Sequence, residues 1–296
     1  MLENPVKTNW VARMLLAVAL SFVLPVPVSA DDTVILWHRN FDTAPVDQIV
    51  ALALKKTEDL YGAATLRRSD PFGPQQALQK LLVGDRLDVV SMATSAERDG
   101  QFHTLHFPVF QGLLGHRLCL IRKGTQNQFD AVKTGFDLMQ NTIRFCQSEF
   151  WPDTEVLRRN GLSVVTSSSY ESLFNLLIEG QCDCFLRGAQ EIVPEYQQYQ
   201  QDFEIEKNLV IHYFQPGVIY VNKNNPELAV RLELGLLRAW DDGSYQRLFE
   251  QLMGDNLNLL QLSHRHYVPL INPKPSKPAQ IIEQLDPLWS IPKWPN

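Results

Sequence analysis

Residues 88–110 read Asp-Val-Val-Ser-Met-Ala-Thr-Ser-Ala-Glu-Arg-Asp-Gly-Gln-Phe-His-Thr-Leu-His-Phe-Pro-Val-Phe. The apolar run Leu87–Val90 predicts a strand, and small residues follow it, with Arg98 one turn into a short helix. Small side chains let backbone N–H groups point outward, and a helix start carries partial positive charge. A guanidinium there adds a planar fork that matches a carboxylate. Strand, turn and arginine together read as an anion cradle at the carboxyl end of a strand. The competing reading is a surface arginine paired with Glu97 or Asp99, which contributes little.

The same alternation extends on both sides. Val34–Trp37 predicts a strand, and Val46, Ile49, Val50, Ala53 and Leu60 mark a helix face. Thr65–Arg68 predicts a second strand, and Ala77, Leu78, Leu81 and Leu82 a helix stopped by Gly84. Further strands are expected at 116–122, 142–146, 162–166, 182–186 and 218–221, with helices through 156–157, 173–178, 228–239 and 245–252. Repeated β-α-β order predicts an α/β protein with mostly parallel sheets. From about His264 the pattern stops, and seven prolines fall between Pro269 and Pro295. That density predicts an extended tail without helix or central strand, with Trp289 packing into a groove.

At the amino end, Lys7 and Arg13 precede the apolar run Met14–Val28, and Val28-Ser29-Ala30 is a small-residue cleavage site. This reads as a secretory signal peptide over residues 1–30. Its apolar run is short and holds Pro25 and Pro27, unlike a membrane span. The expected location of the mature chain is the periplasm. Of 296 residues, 45% are apolar, enough for one large or two smaller cores, and the net charge is −6. An acidic balance argues against nucleic acid, which wants a basic face. No Ser-His-Asp, metal-ligand or P-loop pattern occurs, so neither metal nor cofactor is expected. Of the four cysteines, Cys182 and Cys184 share a strand face. Buried free thiols are the preferred reading, with a bridge from Cys146 to Cys182 or Cys184 as the alternative.

Three segments resemble one family, the bacterial periplasmic solute-binding proteins of the polar amino acid type (solute-binding family 3). They are Ser91–Arg98 followed by Phe107-Pro108-Val109-Phe110, then Leu176–Asp183, then Tyr220–Leu228 continuing to Asp242-Gly243-Ser244-Tyr245. The resemblance implies an α/β, type II periplasmic binding fold with the ligand cleft between two lobes. Residues 31–120 and 215–296 would form one lobe and 123–212 the other. The chain would cross near Ile121–Gly124 and near His212–Gly217. It also implies a monomer that closes on a small amino acid-like or carboxylate ligand and serves an ABC permease or a sensor kinase ectodomain. The alternative is an enzyme on the same fold, a lyase similar to cyclohexadienyl dehydratase, with Glu149 or His38 as general acid.

The expected ligand contacts are Arg98 with Ser91, Ala93 and Ser95 in the cradle. Phe41 and Phe72 follow the first two strands, and Ser148 and Trp151 lie at a strand–helix junction. Trp37 and His38 have bland readings as core and loop residues. Asp153 or Thr154 reads as a helix cap, and Glu171 with Arg158-Arg159 as a solvated face. Two departures from the family stand out. Ala93 replaces a hydroxyl five positions before the arginine. Gly188 stands where amino acid binders place the acid that pairs the ligand ammonium. Arg187 beside it is therefore expected to meet a second ligand acceptor, or else to pair with Glu191.

Overall fold

A computed structural model describes residues 32–42, 45–273 and 275–284. The signal-peptide segment and Trp289 lie outside these. Among the described residues twelve strands form two sheets. The first contains β1 (Asp32–Leu36), β2 (Ala64–Arg68), β3 (Val89–Ala93), β4 (His103–Thr104) and β11 (Gly217–Val221), in the order β2-β1-β3-β11-β4. The second contains β5 (His116–Arg122), β6 (Arg144–Ser148), β7 (Ser163–Ser167), β8 (Cys184–Gly188), β9 (Phe203–Ile205), β10 (Leu209–His212) and β12 (His266–Pro269). Its order is β12-β10-β5-β8-β6-β7, with β9 also on β5.

Parallel pairs β1–β2, β1–β3, β6–β7 and β6–β8 hold the β-α-β units, as the alternation requires. The strands next to the crossings run antiparallel. Ala93, the last residue of β3, pairs with Gly217, the first of β11. Gly188, the last residue of β8, pairs with Arg117 at the start of β5. Antiparallel pairing thus brings the carboxyl ends of β3 and β8 to the edge where the chain passes between lobes. Ligand crevices of open α/β sheets lie at such ends.

The chain passes from the second sheet to the first between His212 and Gly217. The first crossing falls earlier than Ile121–Gly124. All of β5 belongs to the second sheet, so residues 105–115 make the crossing. The crossings touch: Tyr213 N–H donates to the Gly115 carbonyl at 3.2 Å. A Cβ on Gly115 would lie 2.6 Å from the Tyr213 carbonyl oxygen, which accounts for the glycine. One hydrophobic cluster runs continuously from lobe to lobe, from Val34 and Val89 through Phe110 and Leu113 to Leu118 and Phe185.

The tail also departs from expectation. β12 lies on the second lobe, parallel to β10, rather than on the first. It is an edge strand, which is where a sheet tolerates Pro269. The chain then returns to the first lobe, and the helix Lys277–Gln284 packs beside the helix Ala96–Gln101 that carries Arg98. Ile282 is fully buried there in a cluster with Trp37, Leu81 and Phe102. The tail thus makes a third connection between the lobes.

The cysteines are not free thiols. Cys119 bridges Cys184 and Cys146 bridges Cys182, with Cα separations of 5.0 and 5.7 Å. These staples tie β5 to β8, and β6 to the turn that leads into β8, inside the second lobe. Among the described residues no helix is long and apolar enough to cross a membrane.

Candidate ligand-binding cleft

On the first lobe, Ser95 caps the helix Ala96–Gln101, its hydroxyl accepting the Arg98 N–H at 3.3 Å. The cap turns the Arg98 side chain back over the strand end, where Nη1 donates to the Ala93 carbonyl at 2.8 Å. No acidic side chain pairs with this guanidinium among the described residues, so the expected pairing with Glu97 or Asp99 does not form. Asp99 instead accepts from Tyr220 and Thr104, at 2.9 and 3.2 Å. The backbone half of the cradle is partly spent. Ser91 N–H donates to Asn40 Oδ1 at 2.8 Å and Thr94 N–H to Pro216 O at 3.0 Å. Of the expected cradle, the Arg98 guanidinium is the charged donor at this strand end.

The aromatic candidates divide. Trp37 is core, 5% exposed, with its indole N–H on the Phe72 carbonyl at 3.1 Å. Phe72 meets His38 edge to face with centroids 5.8 Å apart. Phe41 packs half-buried against the main cluster. Burial, then the charges of Arg68 and Arg39, lower the His38 pKa, which favours the neutral ring.

On the second lobe, Ser148 ends β6 buried, and its hydroxyl accepts Phe150 N–H at 3.3 Å. Trp151 stacks parallel to Phe185 at 6.2 Å. Capping does not explain Asp153 or Thr154. Trp151 is the N-cap residue and lends no side-chain bond, Thr154 donates to Ser148 O, and Asp153 is a buried ion-pair partner of Arg117 at 2.5 Å. Tyr213, from the second crossing, also donates to Asp153. Glu149 is exposed.

Arg187 does not stand open to a ligand. Its Nε and Nη2 donate to Glu195 at 2.7 Å each, and Glu191 lies 3.2 Å away. The guanidinium also lies 4.8 Å from the Trp151 ring centre, 5.1 Å from Phe185 and 5.8 Å from Tyr170. Burial works against its charge, but Glu191 and Glu195 outweigh it and hold the pKa well above the ordinary arginine value. A buried pair of this geometry is costly to break and leaves little donor capacity for a second ligand anion.

Among the cleft residues Arg39, which follows the first strand, is open to sequence reading, whereas Gln190 and Gln215 are not. Arg39 reaches across the lobes: it lies 5.2 Å from the Tyr170 ring centre and 3.8 Å from Glu171. Glu171 is thus a rim contact as well as a solvated side chain. Gln190 and Gln215, 6% and 2% exposed, sit at the crossing edge with amide oxygens that have no partner among the described residues. A glutamine carries no local pattern that marks it as a site residue. A shallow depression of about 500 Å³ lies at the other end of β6, around Arg144 and Asp183. Those two close on each other through bonds of 2.8 and 2.9 Å, and the depression is remote from the strand ends described above.

Two α/β sheets joined by adjoining crossings make up this fold, and solved structures of amino acid-binding proteins share it. An ancestral arginine-binding protein bound to glutamine matches with a TM-score of 0.56 at 18% identity, over 77% of this chain and 99% of that one. A putative ABC-transporter binding component from Wolinella succinogenes, complexed with lysine, gives 0.55 at 17% identity, over 76% and 96%. An ancestral amino acid-binding protein, a precursor of cyclohexadienyl dehydratase, gives 0.54 at 15% identity, over 75% and 95%. No family model and no curated protein sequence matches the chain.

Proposed function

We propose that this is an exported periplasmic solute-binding protein. It takes a small polar ligand bearing a carboxylate, closes its cleft, and presents the ligand to an ABC permease or a membrane sensor. The observation that carries this reading is Arg98, a guanidinium without an acidic partner among the described residues, at the cleft end of β3. Closure removes water from that contact and strengthens it. Native mass spectrometry of protein purified from the periplasm tests the reading. A co-purified small carboxylate, released by Arg98→Ala, is the expected result. Truncating one partner of a desolvated charge pair costs about 2–5 kcal/mol, so affinity should fall roughly 30-fold or more. Unchanged affinity in Arg98→Ala would remove the cradle from the account.

The lyase alternative rests on the likeness to the dehydratase precursor. It needs a general acid of tuned pKa in the cleft. Glu149 is exposed to solvent, and the lowered His38 pKa favours the neutral ring over the acid form. Aromatic product formed from prephenate or arogenate would establish the enzyme.

A further inference from the structure

The carboxyl end of β8 carries an unusual local arrangement. Gly188 has no side chain, and the place where one would project is already filled. A Cβ there would lie 2.7, 2.9 and 3.0 Å from Oε1, Nε2 and Cδ of Gln190. The Gln190 amide therefore lies over the strand end, nine-tenths buried, and its oxygen receives no donor among the described residues. The turn beneath it is fixed. Gly188 N–H donates to Glu191 Oε2 at 3.0 Å, Glu191 N–H to Gly188 O at 2.9 Å, and Ala189 N–H to His116 O at 2.9 Å.

A second amide flanks the same crossing. Gln215 Nε2 donates at 2.9 Å to the carbonyl of Thr94, four residues before Arg98, and its buried oxygen is also without a donor. The Gln215 backbone nitrogen lies 3.5 Å from the Cβ position of Gly115. Two residues further on, Arg117 pairs with Gly188. Both glutamines thus lie near the start of β5, Gln215 by its backbone and Gln190 by its amide. A buried acceptor without a donor is costly, and few such groups persist in native proteins unless a ligand or water completes them.

The carboxylates near the Gln190 turn are engaged elsewhere. Glu195 takes both Arg187 nitrogens and the Tyr170 hydroxyl, Asp153 takes Arg117 and Tyr213, and Glu191 takes Gly188 N–H and lies beside Arg187. From this geometry we infer that the Gln190 amide oxygen forms a subsite for an uncharged hydrogen-bond donor, a hydroxyl above all, on the ligand whose carboxylate Arg98 holds. The favoured ligand class is the α-hydroxy acid rather than the α-amino acid. One neutral acceptor takes the single proton of a hydroxyl, whereas an ammonium desolvated against it lacks its countercharge. The inference rests on the proposed function above and narrows its ligand.

Matched pairs test it: L-malate and L-aspartate, 2-hydroxyglutarate and L-glutamate, L-lactate and L-alanine, phenyllactate and phenylalanine. Each is titrated by calorimetry into the mature protein, Gln190→Glu and Gln190→Met. In at least one pair the hydroxy acid should bind the unmodified protein at least about tenfold more tightly than its amino partner. Gln190→Glu should reverse that order. Gln190→Met, close in shape but without the acceptor, should lose about tenfold for the hydroxy acid, which keeps the test readable if Gln190→Glu does not fold. Tighter binding of the amino member, a ratio unmoved by either variant, or no binding by any of the eight acids overturns the subsite. Failure of the parent reading has its own signature: tight carboxylate binding that Arg98→Ala leaves unchanged.

Discussion

Replacing Cys119 and Cys184 together by alanine is expected to lower the melting temperature by roughly 8–18 °C. The outer bridge spans 65 residues of sequence, and the inner one, Cys146–Cys182, lies wholly within that span. With the inner bridge intact, the outer one closes a path of about 30 residues. Denatured-chain entropy for a loop of that size corresponds to about 3.5 kcal/mol. Both cysteines are at most 2% exposed in the second-lobe core, so losing the sulfurs adds about 1 kcal/mol of cavity cost. At about 2–4 °C per kcal/mol for a chain of this size, the shift follows. The bridge also fixes β5, which begins at the crossing, against β8, which ends at the Gln190 turn. Cleft affinity should therefore weaken along with stability. Calorimetry of the purified variant measures the shift, and thiol titration of the unmodified protein in denaturant counts free cysteines. No thiol should react before reduction and four should react after it. Four reactive thiols in non-reduced periplasmic protein, or a melting point within 2 °C of the parent, would refute the reasoning.

Three further outcomes are expected. Burial, reinforced by His116, lowers the His212 pKa to about 4, below its unfolded value near 6.5. The unfolded chain then binds more protons between these values, so stability is full above about pH 6.5 and falls by up to about 3 kcal/mol as pH drops through 4. Urea unfolding at pH 7 and 4.5 measures this, and His212→Gln should flatten the slope; an unchanged slope would assign the effect elsewhere. Gly115→Ala places Cβ against a backbone carbonyl at 2.6 Å and should cost about 1–3 kcal/mol. Gly217→Ala meets only the Leu114 side chain at 3.3 Å and should cost less, so equal costs in denaturant titrations would count against the close-crossing account. Ile282→Asp buries a charge in the cluster around Trp37 and should release the helix Lys277–Gln284 at a cost of about 2–4 kcal/mol. New proteolytic cleavage between β12 and that helix reports the release, and an unchanged digestion pattern would show that the tail does not strap the lobes.

Much of the scaffold was legible because its signals are local. The helix over 74–83 ends at Gly84, whose φ is 72°, and His116–Arg122 is the strand its apolar run predicts. Period-2 and period-3.6 burial is written in neighbouring residues, so element type survives without tertiary knowledge. Arg98 was legible for the same reason, since strand, small-residue turn and arginine are contiguous. The tail misled because proline count was read without edge position. A strand bonded on one side only leaves Pro269 room, and Pro278 in the first turn of a helix costs no hydrogen bond.

The sequence by itself determined two α/β units and an arginine just past a strand end. The tertiary structure alone decided which charges and acceptors remain open in the cleft. Arg187 and Arg98 are equally charged on paper, yet the fold gives Arg187 two carboxylates and Arg98 none. Asp153 reads as a cap until Arg117 and Tyr213, 36 and 60 residues away, converge on it. Gln190 becomes a candidate only when Gly188 leaves its amide a place to lie. Backbone periodicity is a near-neighbour property, whereas the partner of a buried charge or amide is set by contacts distant in sequence, and those exist only once the chain has folded.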